Sequence, residues 1–328
     1  MGDNSSAQPA FTVVVPTFNA LHYLRRTIPP IVDALGHVEG ELIVIDNGSD
    51  DGSVAWLREH VPSARVESVP GVSIGALRNF GAELGSGELI SFVDSDCVVG
   101  PDYFLRILEV LGETGAVAAG SDYALPDDPL WVEMDWQALN DQRGGTLEGP
   151  VHDLPSGHFA CRRAAFEAVG GYDESLETGE DAELCLRLVK NGGTIWHSKR
   201  IEAKHLGNPK SLRGFYGKQR WHGLGMFGTA RAQRFDKPTL LLFVHILANL
   251  VGIACAVVLN GMIGVGLFAL LTFVAPAIAV AYRMASSNRP RSILRALLLF
   301  HIYLDARVAA LWAITLGKVM PRTRTSRQ

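Results

Sequence analysis

From Pro238 to Tyr282 the chain contains no Asp, Glu, Lys or Arg, a charge-free run of 45 residues. One membrane crossing takes about 20 apolar residues. The run therefore supplies two, Leu240–Leu259 and Gly261–Tyr282, on either side of the turn pair Asn260-Gly261. Its expected form is a helical hairpin in a bilayer, because a buried helix of a soluble core does not need so long a stretch without charge.

The net charge of −4 hides an asymmetry around this hairpin. Residues 1–198 hold 31 acidic and 11 basic side chains, whereas residues 199–237 hold 2 acidic and 10 basic. Basic residues precede the hairpin and Arg283, Arg289 and Arg291 follow it, so the positive-inside bias puts both ends in the cytoplasm. Ile293–Leu316 is apolar enough for a third span but carries Arg295, His301, Asp305 and Arg307. A third crossing would place the basic tail with Lys318, Arg322, Arg324 and Arg327 outside. The segment is therefore expected in the interface or against the hairpin, with a third membrane helix as the alternative.

The expected divisions are a polar, disordered tail over 1–10, an α/β domain over 11–237, a membrane region over 238–317 (hairpin 240–282, further helix 293–316) and a basic tail over 318–328. No signal-peptide pattern precedes Phe11. Cys97, Cys161, Cys185 and Cys255 show no paired spacing, which suits a reducing compartment and argues against a zinc site.

In the front domain, apolar strands alternate with helical periods. Strands are expected at Thr12–Val15, Glu41–Ile45, Ala64–Val69, Leu89–Asp94 and Ala116–Gly120, with shorter ones at Ser156–Cys161, Thr194–His197 and Ile201–His205. Helical spacing runs through Ala20–Leu35, where Pro29-Pro30 predicts a kink or two short helices. Thr178–Lys190 reads as a helix opened by a capping-box-like Thr178 and Asp181. Ser121–Asp153 dissolves into Pro, Gly, Asp and Trp and reads as a long functional loop. The alternation predicts an α/β fold, a mostly parallel sheet with helices on both faces, and ligands bind outside the carboxyl ends of such strands.

Leu89–Asp96 is an apolar run that ends in two carboxylates, Asp94 and Asp96, separated only by Ser95. Paired carboxylates repel unless a cation sits between them, and hard oxygen ligands suit Mg²⁺ or Mn²⁺. The plainer reading is that both cap the following turn.

Six motifs in order resemble the family 2 glycosyltransferases of the GT-A nucleotide-sugar fold: Val15-Pro16-Thr17-Phe18-Asn19, Val44-Ile45-Asp46-Asn47-Gly48-Ser49, Gly75-Ala76-Leu77-Arg78-Asn79, Asp94-Ser95-Asp96, Gly170-Gly171-Tyr172-Asp173-Glu174, and Gly179-Glu180-Asp181 leading into Leu184 and Arg187-Leu188. The resemblance covers about Phe11 to Phe227, and the hairpin behind it looks like the branch that builds exopolysaccharide, cell-wall or lipid-linked glycans.

The resemblance implies that Pro16 and Thr17 pack by the base and ribose, Asp46 accepts from the nucleobase, and Arg78 lies near the diphosphate. It implies that Asp96 is a direct metal ligand and that Asp94 reaches the ribose or the metal through water. His205 matches a third ligand, and Asp181 matches the base of an inverting transfer, with Glu180 the second candidate. The dipole of the helix should hold Asp181 ionised. Arg220 and Trp221 stand where processive relatives carry Gln-x-x-Arg-Trp, but the first position is Gly217, so they are either donor and acceptor contacts or a juxtamembrane anchor. Trp131 and Trp136 either stack on a sugar or pack.

The expected activity is a metal-dependent, inverting glycosyltransferase at the cell (inner or plasma) membrane. Its donor is a nucleotide-sugar, its acceptor a glycan or polyprenyl-phosphate-linked molecule, and its other partner membrane lipid, with no nucleic acid. A membrane scaffold with a non-catalytic sugar-nucleotide domain and a nucleotidyltransferase are the rival readings. No Gly-rich, Lys-bearing phosphate loop follows the first strand, which speaks against the latter.

Overall fold

The computed structural model describes residues 10–140, 148–226, 237–259, 261–286 and 290–316. The expected disordered tail and basic tail, Asn260 of the turn pair and Arg289 lie outside the described residues. The chain divides into two units, residues 1–126 with 147–207 and residues 127–146 with 208–328.

The first unit begins with β1 (Phe11–Thr17), α1 (Leu21–Leu35), β2 (Gly40–Asp46), α2 (Ser53–His60), β3 (Arg65–Ser68), α3 (Ile74–Leu84) and β4 (Leu89–Val93). A short β5 (Cys97–Val99), α4 (Tyr103–Thr114) and β6 (Ala118–Gly120) follow. After α5 (Trp131–Asn140), which belongs to the second unit, come β7 (Gly149–Val151), β8 (His158–Arg162), α6 (Arg163–Ala168), α7 (Glu180–Lys190), β9 (Ile195–His197) and β10 (Ala203–His205). One sheet has the order β3-β2-β1-β4-β8-β6-β9-β7, and β10 pairs with β5 in a separate ribbon. The first four strands of that order run parallel, and β8 pairs antiparallel with both β4 and β6.

Central strands with both faces covered read as continuous apolar runs. Every residue of β1 and β4 is buried. Their side chains still alternate. Phe11, Val13 and Val15 join Leu42 and Val44 against Leu24, Ile28 and Ile31 of α1 and Phe104 and Ile107 of α4. Val14, Ile43, Ile45, Ile90 and Phe92 face the other way, onto Leu77 of α3 and Leu184 and Leu188 of α7.

Three expectations need correction, and one element is new. Pro29 and Pro30 do not divide α1, which is one helix of 15 residues. The carbonyls that would have bonded to residues 29 and 30 belong to Arg25 and Arg26, both exposed residues, so the missing bonds fall on the solvent side while the buried face of Leu24, Ile28 and Ile31 holds the helix. Thr178 and Asp181 form no capping box, because α7 starts at Glu180 behind Gly179, whose left-handed φ of 85° ends the preceding turn. Ser121–Asp153 is not one loop, since it contains α5 and β7. The ribbon of β5 with β10 was not anticipated for Cys97–Val99.

The second unit comprises α5, α8 (Leu212–Met226), α9 (Lys237–Leu259), α10 (Gly261–Thr272), α11 (Val274–Ser286) and α12 (Ile293–Thr315). The hairpin's second arm is thus interrupted at Phe273; Pro276 has no N–H to return to the carbonyl of Thr272. Three stretches are long and apolar enough to cross a membrane, Lys237–Leu259, Gly261–Ala285 and Ile293–Thr315. Leu304 of α12 packs with Leu242 of α9 and Ala275 of α11. Trp136 packs, its ring 4.7 Å from Phe215 and 5.6 Å from Phe300, and the Trp131 ring lies 5.1 Å from the Arg295 guanidinium.

Close approach of α3 to β1 depends on Gly81, where an added Cβ would stand 2.3 Å from Val14 Cγ1. Gly81→Ala is expected to destabilise the detergent-solubilised protein by about 1–3 kcal/mol through overpacking, read as a lower melting temperature. An unchanged melting temperature would refute the tight contact.

Candidate active site

The parallel strands β1, β2 and β4 end on one rim of the sheet, and each delivers a polar group there. Thr17 and Asp46 close β1 and β2 in register with one another. Asp46 is buried, and its carboxylate accepts from the N–H groups of Gly48 (2.9 Å) and Ser49 (3.0 Å), so it shapes the turn. Asn19, at a left-handed φ of 47°, donates its N–H to Ser49 Oγ and accepts from Asp50 N–H. Pro16 is buried within β1 opposite Ile45, where its missing N–H costs no bond to the β4 side, whose pairing ends at Val14. Thr17 Oγ1 is buried with no hydrogen-bond partner among the described residues.

At the end of β4 the two carboxylates part. Asp94 N–H donates to Gly157 O, and its Oδ1 accepts from Arg78 Nη2 at 2.7 Å. The other Arg78 nitrogen, Nη1, donates to Glu180 Oε1, also at 2.7 Å. Arg78 is only 3% exposed, and the Tyr172 ring lies 5.4 Å from its guanidinium carbon. Burial opposes its charge, but Asp94, Tyr172 and Glu180 outweigh burial and hold it protonated well above the ordinary arginine value. A single buried cation from α3 thereby ties the end of β4 to the first residue of α7. An added Cβ on Gly157 would lie 2.5 Å from Asp94 Oδ2 and 2.0 Å from the Tyr123 hydroxyl, so backbone fills this corner.

Asp181 follows Glu180 in the first turn of α7, and its Oδ1 accepts from Ala182 N–H. The expectation that the helix dipole governs its ionisation needs revision. Burial first, then repulsion from Glu180, pushes its pKa up to about 6, against the opposing pull of Ala182 N–H and Arg78. That value still leaves the carboxylate ionised near neutrality.

Asp96 points into a second corner, built by the ribbon of β5 and β10. Pairing of Cys97 with His205 in that ribbon brings His205 Nε2 to 3.3 Å from Asp96 Oδ2. Cys97 Sγ stands 3.9 Å from Asp96 Oδ1, and the three potential ligand atoms all lie within 4.8 Å of one another. An added Cβ on Gly207 would lie 1.9 Å from Asp96 Oδ2, so only glycine leaves this carboxylate its place. Hard-ion ligands at about 2.1 Å in near-octahedral geometry stand roughly 3 Å apart. The separation of Asp96 and His205 fits such an ion.

Tyr123 lies between two imidazoles, 4.5 Å from the His158 ring and 4.7 Å from the His205 ring. Burial lowers His158 to about 3, so it stays neutral and takes part in a hydrogen bond with Ser121 Oγ at 3.0 Å.

The structure thus brings Arg78, Asp94, Glu180 and Asp181 into one cluster and Asp96 and His205 into another at the same rim. Asp94 is not among the three ligand atoms grouped around Asp96. Arg78, expected near a diphosphate, spends both terminal nitrogens on carboxylates. Arg220 and Trp221 belong to the second unit, exposed on α8. Sequence reasoning missed Cys97, Tyr123, His158, Gly157 and Gly207. Of these only Cys97 carried a usable signal, its place directly after Asp96.

Residues 12–170 match the model of glycosyl transferase family 2. The succinoglycan biosynthesis protein ExoA of Rhizobium meliloti (strain 1021) is 27% identical over 248 residues, 72% of this chain and 73% of that protein. The validoxylamine A glucosyltransferase of Streptomyces hygroscopicus subsp. jinggangensis (strain 5008) is 28% identical over 240 residues, 61% of this chain and 57% of that protein. Among solved structures, the mannosyltransferase PcManGT from Pyrobaculum calidifontis, in complex with GDP-Man and Mn²⁺, matches with a TM-score of 0.59 at 15% identity, covering 96% of this chain and 89% of that one. At that identity the likeness speaks for the fold. Residues 12–170, the part of the chain that carries this rim of carboxylates, thus match glycosyl transferase family 2, and the fold is that of the GT-A glycosyltransferases.

Proposed function

We propose that this glycosyltransferase is metal-dependent and inverting, with Asp181 as its base. It would move a hexosyl group from a nucleotide-diphosphate donor to a hydroxyl of a glycan or polyprenyl-phosphate-linked acceptor, at the cytoplasmic face of the cell membrane. The observation that carries the reading is the Arg78 bridge, which holds the carboxylates of α7 beside the end of β4.

Each residue then has work suited to its surroundings. Thr17 Oγ1, buried and unpartnered among the described residues, offers a hydrogen bond to the base or ribose, beside the turn shaped by Asp46. Asp96 and His205 would hold Mg²⁺ or Mn²⁺, which as a Lewis acid neutralises charge on the departing nucleoside diphosphate. Asp181 accepts the proton of the acceptor hydroxyl as its oxygen bonds to the anomeric carbon, while the bond to the diphosphate breaks on the opposite face. A pKa of about 6 suits this step, because the base is ionised at working pH yet close enough to it to accept a proton. Glu180, held by Arg78, is a positioning residue. The 10 basic residues between Lys199 and Lys237 suit an acceptor that bears a lipid phosphate, with Arg220 and Trp221 exposed among them.

Detergent-purified protein with Mn²⁺ and membrane lipid extract is expected to release UDP, GDP or TDP from one member of a sugar-nucleotide panel. Asp96→Ala and Asp181→Asn abolish the release, and only Asp181→Asn retains donor binding. Wild-type turnover falls about tenfold per pH unit below pH 6, where Asp181 holds its proton. The folded protein keeps that proton through pH 4 to 6 while the unfolded chain loses it, so Asp181 subtracts stability as pH rises through this window. Asp181→Asn should therefore melt no lower than wild type at pH 7.5. Release from no donor would favour a non-catalytic scaffold.

Gly207→Ala is a finer probe of the metal corner. Its methyl must displace the Asp96 carboxylate, so the apparent Mn²⁺ requirement is expected to rise at least about tenfold with little change in melting temperature. An unaltered Mn²⁺ dependence would remove Asp96 from the metal site.

A further inference from the structure

Within the second unit, polar groups gather where the helices are otherwise apolar. Asp305 of α12 has an imidazole at each carboxylate oxygen: Oδ1 is hydrogen-bonded to His245 Nε2 of α9 at 2.9 Å, and Oδ2 lies 3.3 Å from His301 Nε2 one turn earlier on α12. The three ligand atoms lie within 4.8 Å of one another. At 1.5 Å per residue, Asp305 stands about 18 Å along the roughly 34 Å of α12, so the group lies near mid-helix. His245 is 1% exposed.

Asp305, its side chain 47% exposed, stands in the middle of an otherwise apolar helix, where a carboxylate is stabilised by a compensating positive charge. Among the described residues its only ion-pair partners are the two imidazoles. Arg307 is turned to Gln219 Oε1 (3.4 Å) and the Tyr303 ring (4.8 Å) instead. The two imidazole Nε2 atoms converge on the two oxygens of Asp305, a ligand set that an ion could share.

Both rings are also held in place from outside the group. Asn249 Nδ2 donates to the carbonyl of His245 and lies 3.3 Å from its Nε2, while Asn249 Oδ1 accepts from Thr272 Oγ1 at 2.7 Å. Phe273, at the break between α10 and α11, stacks on His301 with ring centres 5.0 Å apart. The backbone interruption of the second arm thus coincides with the support of the cluster.

We infer that His245, His301 and Asp305 form a second metal site, separate from the sugar-transfer site, that binds a divalent transition ion of the zinc type. Imidazole and carboxylate at i and i+4 on one helix present two ligands on one face, and a histidine from a facing helix supplies the third. Three protein ligands of this kind leave a fourth tetrahedral position open. The ion cancels the charge of Asp305 and joins α9 to α12, independently of the ligands Asp96 and His205.

The test uses the full chain in detergent carrying Asp96→Ala and His205→Ala, so that the first site is disabled. After equilibration with Zn²⁺ and removal of free ion, metal analysis should find about one zinc per chain. Adding His301→Gln or Asp305→Asn should weaken retention by at least about a hundredfold, and Co²⁺ loaded in place of zinc should give the visible absorption of a tetrahedral nitrogen–oxygen site that these variants lack. Melting curves taken alongside report whether each variant is folded. Absence of zinc from the folded parent, or equal zinc in the folded His301→Gln and Asp305→Asn variants, would overturn the site and leave a metal-free polar cluster.

Discussion

The active-site rim depends on one buried ion-pair triad. Arg78 reaches from α3 to Asp94 and Glu180 at 2.7 Å each, almost completely out of water. Placing three charges there is costly, and the cost is offset only when each has its partners. Removing the guanidinium would leave two carboxylates facing each other beside Asp181, whose pKa burial and Glu180 already raise. Within this arrangement Arg78 ties the start of α7 to the end of β4 and counters part of the upward push on Asp181.

The second dependence is geometric. β4 ends at Val93, directly before Asp94, and the chain turns through Ser95, whose carbonyl is held by Thr27 Oγ1, into the short β5. That strand exists only because β10 returns to pair with it, and the pairing delivers His205 to Asp96. The two aspartates are thus assigned to different neighbours two residues apart, one to a cation of the protein and the other to a corner fit for a metal ion.

Much of this was legible beforehand for physical reasons. Strands β1, β2 and β4 announce themselves as unbroken apolar runs, because both faces of the sheet are covered, and their ends mark the rim where Thr17, Asp46 and Asp94 sit. The charge-free run declared the apolar helices in the same way. What could not be read depends on distant partners. A strand of three residues such as β5 has no periodicity to detect, the pairing of β10 with it could not be read either, and nothing local to Arg78 reveals that its nitrogens are taken. The prolines of α1 misled because their effect turns on which way the freed carbonyls face. Asp181 misled because the dipole argument omitted its burial and Glu180. Trp131 and Trp136 lay in a stretch that looked irregular because α5 finds its partners in α8 and α12.

The most direct test of the account is the pH-dependent turnover and Mn²⁺ affinity of Arg78→Lys, which keeps the charge but cannot span both carboxylates. The account predicts unchanged Mn²⁺ affinity, turnover lower by at least about a hundredfold, and an acidic limb displaced above pH 6 because a cation that cannot span both carboxylates leaves the repulsion of Asp181 by Glu180 less offset. Wild-type turnover with the limb still near pH 6 would contradict it.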